Sequence, residues 1–317
     1  MKYAGTAPRP ERASRFTNPY WTADGDPRAH VDLRSLSTLW FNTGTLCNLA
    51  CANCYIESTP RNDRLSYLKR ADVGSYLREA KELDLPVTQI GITGGEPFMN
   101  PEILEILEDC LSTGVRVLVL TNAMRPMTRS ADRLVELRER YEDALSLRVS
   151  LDHYDPKLHE SERGERTWKP ALQGLRWLSE NGFKVEVAAR KRWGDTEEAL
   201  RQGFGVLFNE MNLRIDASSD TDLILFPEMD ETHEVPEITA ACWGALGVDP
   251  DEMMCATARM VVRRRDAPTA EVIACTLIPY DPAFSFGPTL AESLASTQLN
   301  HPHCARFCVL GGGHCAG

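Results

Sequence analysis

The sequence predicts an α/β protein in which parallel strands alternate with helices, followed by a small cysteine-rich tail. Three observations predict it. From about residue 36 to residue 226, short apolar runs alternate with stripes of helical period. Some of those runs, Val115–Leu120 above all, are apolar almost throughout, as a strand buried on both faces must be. After about residue 236 the rhythm stops, and six of the ten cysteines follow. A repeated strand–helix order implies parallel neighbours joined by right-handed crossovers.

Taken in order, residues 1–34 are polar, with Pro8, Pro10, Pro19 and Pro27 among charges, and read as an irregular surface arm pinned by Tyr20 and Trp21. Thr38–Leu46 reads as the first strand, delivering three cysteines on the loop after it. Asp72 is the expected cap of a helix whose stripe is Val73, Tyr76, Leu77, Ala80 and Leu83. Pro86–Ile92 is the second strand. Pro101 sits in the first turn of the next helix, which buries Ile103, Leu104, Leu107, Cys110 and Leu111 and stops at Gly114. Val115–Leu120 is the third strand, and Ser130 caps a helix through Leu134, Leu137 and Tyr141. Leu145–Leu151 is the fourth strand, followed by a helix over about 168–181 that Gly182 closes. Phe183–Ala189 is the fifth, Asp195 or Thr196 starts another helix, and Asp222–Phe226 is the sixth. The expected units are therefore 1–34, 35–235 and 236–317.

Composition narrows the function. Lys and Arg number 35 against 46 Asp and Glu, for a net charge of −11, a surface that repels phosphate backbones and argues against nucleic-acid substrates. No apolar run approaches a membrane span, and the first residues carry no apolar core of a secretory signal. Ten cysteines in such a chain point to a reducing cytoplasm and to metal ligation rather than disulfides.

The centre of the chain's chemistry is Cys47-Asn-Leu-Ala-Cys51-Ala-Asn-Cys54-Tyr55. Three thiols at C-x3-C-x2-C are too close to be independent core residues, and an odd cluster leaves a sulfur over from any disulfide scheme. Packed thiolates suit a soft, thiophilic centre. Structural zinc wants four protein ligands, so a zinc knuckle would need a distant residue to complete it. On a cubic iron–sulfur cluster, three thiolates leave one iron open. This motif, with an aromatic residue after the last cysteine, resembles the cluster loop of radical SAM enzymes. The resemblance implies that Cys47, Cys51 and Cys54 hold a 4Fe-4S cluster whose open iron binds S-adenosylmethionine (SAM), with Tyr55 beside it. The resemblance also implies a partial, open barrel, a TIM-like (βα)6 architecture, to which six strand–helix units correspond.

In parallel α/β barrels chemistry sits at the C-terminal strand ends. Thr93-Gly94-Gly95-Glu96-Pro97 follows the second strand, 40 residues after Cys54. Paired glycines let a ligand approach the backbone, and a carboxylate there can receive an ammonium group. The stretch is similar to the GGEP motif of the same family, which implies that Gly94, Gly95, Glu96 and Pro97 hold the SAM amino group. Thr121 and Asn122 end the third strand, and Ser150 and Asp152 the fourth. By the resemblance these contact the ribose and methionyl parts of SAM; read alone, they are equally strand-end capping polars. Arg163 and Arg190 are candidates for its carboxylate, through bidentate guanidinium bonds. His153 and His159 read as structural, and Cys110 as core.

In the tail, Arg259–Arg264 and Ala270–Ala274 flank Asp266–Thr269 and read as a β-hairpin that brings Cys255 and Cys275 to one end. Cys304-x3-Cys308-x6-Cys315 can fold back to meet them. The tail resembles the Twitch/SPASM extension of radical SAM enzymes, which implies one auxiliary 4Fe-4S cluster. Cys255, Cys275, Cys304, Cys308 and Cys315 are its candidate ligands. Cys242 is a ligand, a substrate contact or a core thiol, and structural zinc helped by His301, His303 and His314 is the other reading of the tail.

The function so implied is reductive cleavage of SAM, with an electron from a donor such as flavodoxin or ferredoxin. The resulting 5′-deoxyadenosyl radical takes hydrogen from a small-molecule substrate. With an auxiliary cluster to accept an electron, the net reaction is an oxidation or a bond formation. A peptide-modifying maturase and a non-catalytic zinc or iron–sulfur interaction protein are the alternatives. Asn62, Asp63, Arg64, Arg192, His233 and Glu234 are candidate substrate contacts.

Overall fold

The computed structural model of the chain describes residues 14–228 and 234–313. Through the first half the elements are β1 (His30–Val31), β2 (Thr38–Asn42), α1 (Arg70–Glu82), β3 (Gln89–Thr93), α2 (Ile103–Leu111), β4 (Arg116–Thr121), α3 (Arg125–Thr128), α4 (Ala131–Tyr141) and β5 (Leu145–Ser150). Then come α5 (Pro156–Arg163), α6 (Trp168–Glu180), β6 (Lys184–Lys191), α7 (Glu197–Glu210), β7 (Leu223–Pro227) and α8 (Cys242–Leu246). The tail adds β8 (Ala258–Val262), β9 (Glu271–Ile273), β10 (Ser285–Gly287), β11 (Thr297–Gln298) and a π-helical turn, Cys304–Val309.

One sheet holds nine of these strands, in the order β10-β9-β8-β2-β3-β4-β5-β6-β7. β2 to β7 are parallel to their neighbours, as the strand–helix rhythm requires. The two ends, β10 and β7, do not pair, so the sheet stays an incomplete barrel. Helices α1, α2, α4, α6 and α7 bury Val73, Ile106, Leu107, Leu134, Leu175 and Phe204 against the outward residues of the strands. Inside, Trp40, Leu118, Met260 and Ile273 form a second apolar group. A third, of Val31, Ile238, Leu277, Phe284, Leu299 and Phe307, unites the arm with the tail.

Three expectations change. The hairpin is not confined to the tail: β8 runs parallel to β2, pairing Thr38 with Ala258 through to Phe41 with Val261, and adds a seventh parallel strand. The reason is pattern: β8 is buried throughout and can only sit inside a sheet. Asp72 is not the N-cap of α1 but its third residue, where its carboxylate accepts the Lys69 N–H at 3.1 Å. The arm is not pinned by Tyr20, which is 65% exposed. Arg28, buried, anchors it through Glu237 and the carbonyls of Asn18, Trp21 and Leu299.

Candidate functional site

The loop after β2 carries the three cysteines to the C-terminal mouth of the sheet, where Cys47, Cys51 and Cys54 line one cavity. None is in a disulfide. Backbone N–H groups of Leu49 and Ser58 point at Cys47 Sγ (3.4 Å) and Cys54 Sγ (3.3 Å), and the Asn122 amide at Cys47 Sγ (3.9 Å). These donors favour a thiolate, whereas burial pushes Cys47 up to about 12 and raises Cys51 as well. Thiols in that position ionise only when a metal takes the proton's place. The buried Ser58 Oγ, also on the cavity wall, has no partner. The residues therefore fit a thiolate-ligated cluster. Among the described residues, no three His, Cys, Asp or Glu side chains converge tightly enough for a single metal ion.

Gly94 and Gly95 have no room for a side chain. A Cβ on Gly94 would lie 2.5 Å from the Gly44 carbonyl oxygen, and one on Gly95 would lie 2.3 Å from that of Leu46. The backbone that closes on them is the cysteine loop itself: Gly95 N–H donates to Gly44 O at 2.8 Å and Glu96 N–H to Leu46 O at 3.1 Å. Pro97 then opens a buried single turn. The Glu96 carboxylate is 1% exposed and already accepts from Thr121 Oγ1 (2.9 Å), Asn122 N–H (2.9 Å) and Phe98 N–H (3.2 Å). Burial pushes it up to about 7 against those bonds. Glu96 thus joins the ends of β3 and β4 and aims Asn122, whose amide also donates to Asn48 Oδ1 at 2.9 Å.

Asp152, just past β5, takes a two-point contact from Arg163 Nε and Nη2 at 2.5 and 3.1 Å. Arg163 ends α5, which starts because Asp155 accepts the Lys157 and Leu158 N–H groups and Pro156 presets the first turn. Ser150, Arg190 and Tyr55 lie on the same cavity wall. Arg190 is not a free guanidinium: it pairs with Glu162 at 2.8 Å and Glu228 at 3.5 Å. His153 is structural as expected, its Nδ1 accepting Asp155 N–H and its Nε2 facing Asp195.

Sequence reasoning passed over Glu162. It is buried, its carboxylate accepts Asn53 N–H and Asn53 Nδ2, each at 2.8 Å, and its carbonyl accepts Ala52 N–H at 2.8 Å. It therefore fixes the two residues between Cys51 and Cys54 to α5. Nothing in Ser161-Glu162-Arg163 distinguishes this carboxylate from a surface one. Arg148, Trp40, Phe226, Leu277 and Phe307 were likewise passed over, and they form the inner and outer walls of the cavity. Arg148 pairs with Glu186 across β5 and β6 at 2.8 Å. Trp40 fits because Gly91 has no side chain; a Cβ there would lie 2.2 Å from the indole ring. The cavity spans about 1280 Å³ with its solvent mouth.

Of the proposed substrate contacts, Asn62, Asp63, Arg64, Arg192 and Glu234 do not line this cavity. Asn62 donates to Glu57 O and Tyr280 Oη, Asp63 pairs with Arg265, and Arg64 stacks on Tyr280. Arg192 pairs with Glu228 at 2.8 Å and Glu234 with Arg15 at 3.0 Å. His233 lies outside the described residues. These polar side chains are engaged with neighbours because charged loops that pack together satisfy each other first.

A second thiol group lies in the tail. Cys255, Cys275, Cys304 and Cys308 line a small cavity together with His303 and Thr297, and the rest of its wall is apolar, including Met253, Leu277, Ile278, Phe284 and Leu299. The π-helical turn sets Cys304 and Cys308 on one side, and the β8–β9 hairpin brings Cys255 and Cys275 to the other. Burial pushes Cys304 up to about 12 and Cys255 to about 11, so these thiols too need a metal in order to ionise. Cys242 is half-buried in the first turn of α8, where its sulfur accepts the Thr239 N–H, and it does not line this cavity. Cys315 and His314 lie outside the described residues.

Residues 41–190 match the family described as the Radical SAM superfamily. The chain is 33% identical over 144 residues to the antilisterial bacteriocin subtilosin biosynthesis protein AlbA of Bacillus subtilis, covering 45% of this chain and 30% of that one. To the mycofactocin maturase MftC of Mycobacterium tuberculosis it is 28% identical over 150 residues, 46% of this chain and 36% of that one. These matches span about a third of the relatives' length. Among solved structures, Streptococcus suis SuiB bound to S-adenosylmethionine superposes with a TM-score of 0.56 at 17% identity, covering 81% of this chain and 64% of that one. The same protein bound to its precursor peptide SuiA gives 0.50 at 19% identity, covering 71% and 44%. The structural likeness is one of fold. Among the described residues, no helix is long and apolar enough to cross a membrane.

Proposed function

Starting from a chain that belongs to the radical SAM superfamily, we propose that it cleaves S-adenosylmethionine reductively and directs the resulting radical at a residue of a peptide. The observation that carries the reading is one cavity holding Cys47, Cys51 and Cys54 together with Gly94, Gly95, Thr121, Asn122, Ser150, Asp152, Arg163 and Arg190. Cys47, Cys51 and Cys54 would hold a 4Fe-4S cluster, which would supply one-electron reducing chemistry for cleaving a carbon–sulfur bond of SAM. The protein's part is position and exclusion of water. Asn122 and the Leu49 and Ser58 amides direct hydrogen bonds at the sulfurs. The backbone of Gly94 and Gly95 would offer acceptors to an ammonium group, and Glu96, behind the cavity wall, holds Thr121 and Asn122 in place. Asp152 and Ser150 face ribose hydroxyls, and Arg163 and Arg190, though paired, present remaining N–H groups to a carboxylate. Phe226, Leu277 and Phe307 give the cavity an apolar side.

The peptide reading is supported by relatives named as a bacteriocin biosynthesis protein and a maturase, and by the SuiB–SuiA complex. A small metabolite is the second reading, favoured by Arg148 on the cavity wall, which is held by Glu186 and would offer a compact polar substrate a charged contact. Cys255, Cys275, Cys304 and Cys308 would hold an auxiliary 4Fe-4S cluster. A net oxidation follows if the substrate radical returns its electron there, and a ferredoxin- or flavodoxin-type protein is the proposed donor.

The test is SAM cleavage under reductant by the reconstituted chain and by Cys47→Ala. Wild-type protein should form 5′-deoxyadenosine and the variant should form none; equal rates would overturn the assignment. Deuterium transfer into 5′-deoxyadenosine from labelled peptides or from labelled metabolites separates the two substrate readings.

A further inference from the structure

Arg259 is among the largest fully buried side chains in the molecule, at 1% exposure, and among the described residues no carboxylate pairs with it. Its donors all go to backbone carbonyls: Nε to Ser293 (2.9 Å), Nη1 to Cys255 (2.7 Å) and Ala258 (2.8 Å), and Nη2 to Ala295 (2.7 Å). The Phe286 ring lies 4.8 Å from the guanidinium carbon. The molecule's other deeply buried arginines have carboxylate partners: Arg28 has Glu237 and Arg148 has Glu186. Its Nη1 bond is to the carbonyl of Cys255 itself, and Cys275 lines the same small cavity as Cys255. Carbonyl dipoles satisfy a guanidinium's hydrogen bonds but do not neutralise its charge, and a buried unpaired charge is strongly destabilising.

We infer that Arg259 is the built-in counter-charge of an anionic cluster held by Cys255, Cys275, Cys304 and Cys308, and that it eases that cluster's reduction. The inference rests on the proposal that those cysteines hold an iron–sulfur cluster. Four thiolates around such a core carry a net negative charge, which deepens by one electron on reduction. A fixed cation beside two of the ligands stabilises the reduced form more than the oxidised one. Net charge and local polarity are what set the potentials of such centres. Arg259 touches backbone next to the ligands rather than substrate, so its role is one of positioning and tuning.

The experiment uses the full chain carrying Cys47→Ala, Cys51→Ala and Cys54→Ala, so that only the tail thiols take up iron. Into it go Arg259→Gln and, separately, Arg259→Lys. Iron content, the midpoint potential of the reconstituted protein, the rate of iron loss to a chelator, and the thermal midpoint with and without iron are measured. Arg259→Gln should shift the potential to more negative values and lose iron roughly tenfold faster, while Arg259→Lys stays near the parent. In the iron-free form, where the thiols are neutral, Gln should cost less thermal stability than in the loaded form. Four irons bound with an unchanged potential in Arg259→Gln would overturn the assignment and leave the cluster standing. So would an iron-free Gln variant that fails to fold, or one that loses as much as the loaded form, because the arginine would then be only a tie between carbonyls. A parent that takes up no iron would overturn the cluster, and the inference with it.

Discussion

Removing Glu162 tests whether the cysteine loop is shaped by α5 before any cofactor arrives. Its carboxylate is 3% exposed and holds Asn53 through two 2.8 Å bonds and Arg190 through a third. Breaking a buried charged pair from one side costs roughly 3–5 kcal/mol. Leaving the Asn53 N–H unpaired costs about 1–3 kcal/mol more. The two losses share one residue and do not add in full, and Arg190 keeps Glu228 as a partner, so about 4 kcal/mol is the working figure. At about 2–4 °C per kcal/mol for chains of a couple of hundred residues, the iron-free protein should melt on the order of 10 °C lower in Glu162→Ala. Hydrogen exchange of the segment around Ala52 and Asn53 should accelerate in the same sample, while the α2 and β4 amides stay protected. A melting point within about 2 °C of wild type, or unchanged exchange at Ala52 and Asn53, would refute the reasoning.

Other consequences are equally direct. Gly95→Ala should yield protein with a displaced cysteine loop and poor iron uptake, because its Cβ would meet the Leu46 carbonyl oxygen at 2.3 Å; iron content after reconstitution reads this out. Burial, helped by nearby Arg163, pulls the His159 ring down to about 4. The unfolded ring, near 6.5, takes a proton that the folded one refuses, so stability that is intact above pH 6.5 is lost progressively as pH falls from about 6.5 towards 4. The loss amounts to about 2 kcal/mol between pH 7.5 and pH 5. Urea midpoints of His159→Phe should show a smaller acid loss than wild type by that amount. Arg148→Met should cost roughly 3–5 kcal/mol, and most of it should return in Arg148→Met with Glu186→Leu, since an apolar pair replaces a buried ionic one at little cost. Chemical denaturation of both variants tests this.

Local order was legible in the sequence and non-local pairing was not. Val115–Leu120 announces a doubly buried strand by its own residues, and the cysteine triplet by its own spacing. The partnership of β8 with β2 depends on residues more than two hundred positions apart, and the pattern in Ala258–Val262 says only that it is buried. Gly94 and Gly95 stood out as paired glycines, but that the Gly44 and Leu46 carbonyls press on them depends on a loop fifty residues away. Glu96 was legible as a carboxylate at a strand end, yet its three bonds to Thr121, Asn122 and Phe98 give it a structural load that spacing could not disclose. Glu162 and Arg259 escaped notice for a shared reason. A charged residue in a helix or strand looks solvated until its neighbours are known, and those neighbours come from distant segments.

The stitching of β8 onto β2 constrains how this molecule can breathe. The cysteine loop follows β2 and Cys255 precedes β8, so swinging one away from the other would tear four consecutive rungs of that ladder. An electron moving between them would cross a span that thermal motion barely alters. Admission of a bulky reactant must then be handled on the far flank, beside Phe226 and Pro227, where the sheet runs out of partners.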